Sequence, residues 1–165
     1  MAAPEELDAV YRRLFPKLVG LVSLYCGDRW VAEEIAQETL SRLWARSPET
    51  TPASPDAWTY RVAMNLANSW FRRRAIERRA RDTYEASRRE DEQEDLDDFL
   101  AVAKALQRLP QRQRQAVVLR YFADLSVEDT ARAMRCAPGT VKAHTHKALA
   151  ELAQAGLVEH EHADD

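Results

Sequence analysis

Residues 126–148 read SVEDTARAMRCAPGTVKAHTHKA, and their punctuation decides the fold. Ser126 with Asp129 three positions on has the form of a capping box, with aspartate in place of the usual glutamate or glutamine. The helix it opens is short and ends near Met134. Four residues later Pro138 stands where a helix accepts proline, in its first turn. The second helix is expected to run to about Ala155 before Gly156. Two short helices joined by a tight turn make a helix-turn-helix, whose second member enters the major groove of DNA. The stretch 137–148 carries two lysines, two histidines and no acidic residue, which suits a phosphate backbone lined with base edges.

The helices around this pair follow from apolar spacing. Upstream, Leu96, Phe99, Leu100, Ala103, Leu106 and Leu109 form one stripe, stopped by Pro110. Residues 111–123, QRQRQAVVLRYFA, read as a further helix with Val117, Val118, Tyr121 and Phe122 inside. Residues 97–156 therefore form one helical block. Before it, residues 83–96 lack large apolar side chains until Leu96. They read as a flexible acidic tether able to reach about 50 Å when extended.

The first block, residues 1–82, reads as three helices. Leu7, Val10, Tyr11, Leu14, Leu18, Leu21, Val22 and Tyr25 recur at helical spacing from Glu5 to Cys26, and Gly27-Asp28 ends that helix. A second helix from about Trp30 to Arg46 places Val31, Ile35, Leu40, Leu43 and Trp44 inside and leaves Glu33, Glu34, Gln37 and Glu38 outside. SPETTPASP (47–55) holds three prolines and is a loop. Ser54 is set to cap the third helix, with Pro55 in its first position and Asp56 favouring its dipole. That helix, residues 56–81, ends in six arginines between 72 and 81 against one acid, Glu77.

The fold class that follows is all-α, two small helical domains with a linker. Four glycines in 165 residues agree with long helices and few tight turns. The formal net charge of −3 conceals a division. Residues 1–84 carry a net +2, 85–98 a net −6, 99–156 a net +5 and the acidic tail from 157 a net −4. No apolar run approaches the roughly 20 residues that span a bilayer, so no membrane insertion is expected. The N-terminus lacks the basic-then-apolar order of a signal peptide, and the chain is expected in the cytoplasm. Cys26 and Cys136 make no metal-ligand pattern and read as reduced thiols. No metal, no cofactor and no catalytic residue is expected. There is no glycine-rich phosphate loop and no paired nucleophile and base, and the four histidines all fall within 144–162. His144 and His146, two apart, point to different helix faces and do not suit one metal ion. His160 and His162 in the acidic tail are a slightly better metal pair, though a disordered tail is the plainer reading.

Together these segments resemble the extracytoplasmic-function sigma factors, the smallest promoter-recognition subunits of bacterial RNA polymerase. The resemblance covers about residues 7 to 153. VAEEIAQETLSRLWAR (31–46) resembles the family's core-binding helix, and AWTYRVAMNLANSWFRRR (57–74) its promoter-melting and −10-reading helix. ALQRLPQRQRQAVVLRYFADLSVEDTA (105–131) and GTVKAHTHKAL (139–149) resemble its −35-reading domain. It implies core RNA polymerase as partner, through the β′ clamp and the β flap, with promoter DNA, and an anti-sigma factor as a further partner. The residues implied at the core polymerase are Glu34, Ile35, Gln37, Glu38 and Trp44. Those implied at the −10 DNA are Trp58, Tyr60, Arg61, Asn65, Arg72, Arg73 and Arg74, with Arg78 and Arg79 following phosphates. Those implied at the −35 DNA are Thr140, Lys142, Ala143, His144, His146 and Lys147. Core packing is the alternative for Ile35, Trp44, Trp58 and Tyr60.

The chain departs from the family pattern at several points. The 47–55 loop is proline-rich and lacks an aromatic, which puts its base preference in doubt. Ala143-His144 stand where serine then arginine are more usual. Arg135 replaces a turn glycine, and Ala137 replaces a capping serine at a cost of about 1 kcal/mol. The competing reading is a free-standing helix-turn-helix regulator. It leaves the first block and its acidic helix face unused.

Overall fold

The computed structural model describes residues 4–46, 54–80 and 97–158. Seven α-helices follow one another in these residues, and no strand occurs among them. They are α1 (Pro4–Cys26), α2 (Arg29–Trp44), α3 (Pro55–Ala80), α4 (Asp97–Arg108), α5 (Gln111–Val117), α6 (Val127–Met134) and α7 (Pro138–Gln154). The proline-rich stretch 47–53, the acidic segment 83–96 and the tail from 159 lie outside the described residues.

The first three helices form one layer of packing. Leu14, Leu18, Leu21, Val22 and Tyr25 are buried on α1, Ala32, Ile35, Ala36 and Leu40 on α2, and Tyr60, Ala63, Met64 and Ala67 on α3. Full burial of a large apolar side chain contributes about 1.5–3 kcal/mol. The α1 face alone therefore outweighs the roughly 3 kcal/mol cost of a proline inside a helix, and α1 runs on through Pro16. Asp28 caps α2, its carboxylate accepting from the Val31 amide at 3.1 Å. Gly27 takes φ 73° and ends α1, as its sequence position predicts. Arg13 on α1 donates to both oxygens of Asp56 at 2.7 and 2.9 Å, tying the start of α3 to α1. This pair holds the Arg13 guanidinium above its ordinary pKa, chiefly through the hydrogen bond to Asp56.

The second block packs Leu106 and Leu109 against Ala116, Val117, Val118 and Leu119, with Ala131, Ala133, Met134, Val141, Ala148 and Leu152 closing the core. Ser126 caps α6 by accepting from the Asp129 amide at 3.0 Å. The Asp129 carboxylate turns instead to Arg132 at 2.9 Å. Ala137 offers no side-chain cap to α7, and Pro138 takes the first helical position.

Two expectations on side-chain placement need correction. Tyr121 and Phe122, expected inside, are about half exposed. After Val117 the chain winds as a π-helical turn over Val118–Phe122, with the Ala123 amide donating to the Val118 carbonyl at 3.1 Å. The wider turn carries the two aromatic rings out of phase with buried Val117 and Val118. Trp44, also expected inside, sits on the last turn of α2. It lies against Tyr11 with ring centroids 5.9 Å apart, leaving 38% of the residue exposed.

The two blocks are in contact. α1 meets α4 and the π-helical turn, and α3 meets α6. At the junction Tyr25 is fully buried, its hydroxyl donating to Asn68 Oδ1 at 2.6 Å and accepting from Gln111 Nε2 at 3.0 Å. Burial pushes the Tyr25 hydroxyl up to about 12, and does the same to the neighbouring Cys26 thiol.

Arg135 holds the left-handed conformation, φ 53°, that ends α6. A side chain there costs about 1–2 kcal/mol, part of which glycine recovers. Arg135→Gly is therefore expected to raise stability by roughly 0.5–1 kcal/mol, about 2–3 °C in Tm. Arg135→Ala should give no such gain. Thermal unfolding of both variants checks this, and equal melting of the two would contradict it.

Candidate nucleic-acid interface

The exposed surfaces of α2, α3 and α7 differ in charge because each helix buries one stripe and leaves the other to its sequence. On α2, Glu34, Gln37 and Glu38 are exposed on one face. Glu38 pairs with Arg42 at 2.7 Å and Glu33 with Arg29 at 3.1 Å, both one helical turn away. Trp44 closes the end of this face. Ile35 is only 8% exposed and supports the face from beneath.

On α3, Trp58, Arg61, Asn65 and Arg72 recur at i, i+3, i+7 and i+14 and share one stripe. Arg61 and Arg72 are exposed, while Trp58 and Asn65 are partly buried. The Arg46 guanidinium lies 5.1 Å from the Trp58 ring centre. The Asn65 side-chain amide takes no hydrogen bond among the described residues, although its main-chain carbonyl accepts from Ser69 Oγ at 3.0 Å. An amide carries both donor and acceptor, the pair that reads a base edge. Arg72, Arg73 and Arg74 are exposed at the basic end, Arg72 donating to Ser69 Oγ at 2.8 Å and Arg74 lying over Trp70. Tyr60 is not on this stripe. It is buried against the α1–α2 core, and burial raises its hydroxyl pKa.

On α7, Val141, Thr145, Ala148 and Leu152 face the core. Thr140, Lys142, Ala143, His146 and Lys147 are exposed and His144 is partly buried. All six candidate positions on this helix thus fall outside its buried stripe. His144 has its pKa lowered, first by burial and then by the positive charges of Arg112 and Lys147. Arg112 was not singled out by sequence. It spans from α5 to the end of α6, donating to the Met134 carbonyl at 2.9 Å and to Gln115 Oε1 at 3.0 Å. No local pattern marks it, because its role arises only when α5 and α6 pack. Arg114, Gln107 and Gln111, which meet Tyr25 and the end of α1, escaped sequence reading for the same reason.

Among the described residues no cluster of three or more His, Cys, Asp or Glu is placed to hold a metal ion, and no helix is long and apolar enough to cross a membrane.

Comparison with known proteins separates the two blocks in the same way. A family model described as Sigma-70 region 2 matches residues 10–77, and one described as Sigma-70, region 4 matches residues 99–152. The chain is similar to the RNA polymerase sigma-E factor of Streptomyces antibioticus, 34% identical over 122 residues, covering 73% of this chain and 68% of that one. It is also similar to the ECF RNA polymerase sigma factor SigM of Mycobacterium tuberculosis, 35% identical over 150 residues, covering 89% and 75%. Among solved structures it resembles the sigma factor RpoE in complex with the anti-sigma factor NepR from Bartonella quintana. The TM-score is 0.75 at 26% identity, over 94% of this chain and 99% of that one. That superposition takes in both helical blocks. A regulator with a helix-turn-helix alone would match only the second of them, and so the chain belongs to the extracytoplasmic-function sigma factors of bacterial RNA polymerase.

Proposed function

We propose that this chain acts in the cytoplasm as an alternative sigma factor, binding core RNA polymerase, directing it to promoters and melting their −10 region. The observation that carries this reading is the sorting of charge onto separate helices. The α2 face offers Glu34, Gln37 and Glu38, the α3 stripe offers Arg61, Asn65 and Arg72, and α7 offers Lys142 and Lys147 without an acid until Glu151. An acidic face suits a basic partner surface, which we assign to the β′ clamp, with Trp44 at its edge and Ile35 beneath it. The basic stripe with an amide at its centre suits a strand whose bases are drawn out of the stack. Trp58 takes part in that contact, while Tyr60 holds the stripe in place from the core.

In this reading residues 1–82 are the core-binding and −10 module and residues 97–156 the −35 module, with 83–96 joining them. Thr140, Ala143 and His146 reach base edges, while Lys142, His144 and Lys147 sit nearer phosphates. The exposed Tyr121 and Phe122 belong to the surface that meets the β flap. An anti-sigma factor is a further partner, since the RpoE relative with this arrangement of helices is solved with NepR. The chain performs no chemistry of its own. It places DNA where the polymerase acts.

The assignment of separate helices to separate partners is testable by exchange of function. Asn65→Ala is expected to leave core polymerase co-purification intact and to reduce promoter opening, read by permanganate footprinting, by about 10-fold or more. Glu34→Lys with Glu38→Lys should do the reverse. Glu38 loses only an exposed ion pair with Arg42, worth up to about 1 kcal/mol, so the fold should survive. Equal loss of core binding in both variants would contradict the assignment.

His144 gives a second test. In the free chain its protonation is opposed by burial, Arg112 on α5 and Lys147 on α7, so it is neutral at pH 7. A DNA phosphate favours the protonated form and raises its pKa in the complex. Binding then takes up a proton, and affinity for a −35 duplex should rise as pH falls from about 8 toward 6. For folding the sign is opposite: a lowered histidine pKa stabilises the fold above its ordinary value and that stabilisation is lost on acidification. Binding of the full chain at both pH values, with and without His144→Ala, measures the effect. Each phosphate contact also adds about 0.9 to the log–log salt slope. A wild-type pH dependence no greater than that of His144→Ala would exclude a protonated His144 at the DNA.

A further inference from the structure

The end of α3, RRRAIERRA (72–80), is exposed on every side of the helix. The buried stripe of α3 stops at Ala67, and Trp70 and Phe71 are the last residues to be partly covered. α3 therefore projects beyond the packed core by about 13 Å. Arginine, alanine and glutamate are strong helix formers, so the projection holds its shape without a core to rest on. A helix about 10–12 Å across fits the roughly 12 Å major groove of duplex DNA. Five arginines against the single Glu77 suit the phosphates that border it.

One residue does not fit a purely phosphate-binding surface. Ile76 is 66% exposed, and no other apolar side chain larger than alanine occurs in 72–80. The neighbouring arginines turn away from it. Arg72 reaches back to Ser69 Oγ at 2.8 Å, and the Arg74 guanidinium lies back over Trp70, 5.1 Å from the ring centre. Ile76 follows Asn65 by three helical turns with about 20° to spare. It therefore shares the stripe of Trp58, Arg61, Asn65 and Arg72, and stands about 16 Å beyond Asn65 along the axis.

We propose that Ile76 is a base-reading residue: it packs against the 5-methyl group of a thymine in the major groove of the paired DNA upstream of the base read by Asn65. The proposal rests on the sigma-factor reading, in which the Trp58 end of α3 meets the opened strand and the −35 module lies upstream. DNA beyond the Asn65 position is then still duplex, where exposed arginines find phosphates on two strands. An apolar side chain gains nothing from a phosphate. Among the groups a base pair presents in the major groove, the thymine methyl is the apolar one. At about 3.4 Å per base pair, 16 Å of helix reaches at most about five pairs, and fewer where α3 tilts across the groove. The thymine should therefore lie about three to five base pairs upstream of the base that Asn65 reads.

The test uses holoenzyme assembled from core RNA polymerase and the full chain, selecting by binding from duplex DNA of randomised sequence. Wild type, Ile76→Ala and Asn65→Ala are compared. Asn65→Ala should lose its preference at one position, which sets the register. Wild type should select thymine about three to five base pairs upstream of that position, and Ile76→Ala should accept any base there. Replacing this thymine by uracil removes only the methyl group. Wild-type holoenzyme should then bind about 4-fold more weakly, the roughly 0.8 kcal/mol of one buried methyl, while Ile76→Ala should bind both duplexes equally. Ile76 is exposed and alanine is the better helix former, so the variant folds and should still co-purify with core. A selected −10 element without the upstream thymine, or a uracil effect equal in both chains, would overturn the reading of Ile76. Loss of core binding by Ile76→Ala would also overturn it, since the side chain would then face protein. A wild-type holoenzyme that forms but selects no sequence would reject the sigma-factor reading itself, and this proposal with it.

Discussion

The ring of Tyr25 is the point on which the molecule's two halves agree. It is the last large apolar residue of α1, is fully buried, and packs edge-on against Phe71 at 5.2 Å. Its one polar atom would be costly to bury alone, so the hydroxyl is satisfied from both sides, by Asn68 of α3 and by Gln111 of α5. A side chain that closes the core of one block therefore also presents a hydrogen-bonding site to the other. Gln111 and Arg114 of α5 both meet Tyr25 at this junction.

Much of the fold was legible because it rests on period and punctuation. The apolar stripe of α1, the glycine stop at Gly27, the Ser126 cap and the proline start of α7 are local signals with local causes. The outward face of α7 was equally legible, since it consists of the residues left exposed once Val141, Thr145, Ala148 and Leu152 turn inward. What sequence did not disclose depends on tertiary packing. The π-helical turn that exposes Tyr121 and Phe122 has no pattern of its own. Trp44 is only partly covered, by Tyr11 of another helix. Of the residues implied by family resemblance, Ile35 and Tyr60 lie in the core.

Charge does the remaining work. The net charge of −3 describes no surface that a partner would meet. The described helices present an acidic face on α2 and basic ones on α3 and α7, and under the proposed function this separation keeps the protein-facing and DNA-facing surfaces apart. Arg112 belongs to the same economy of position. It secures the end of α6 and at the same time sets the electrostatic surroundings of His144.

As a sigma factor, this chain should confer promoter-specific initiation on a polymerase that lacks it. The most direct measurement is run-off transcription on genomic DNA fragments with purified core RNA polymerase, followed by mapping of RNA 5′ ends. Discrete start sites sharing upstream elements near −10 and −35, present only when chain and core are combined, are the result predicted. Initiation unchanged from that of core alone, with the chain still bound to DNA, would contradict it.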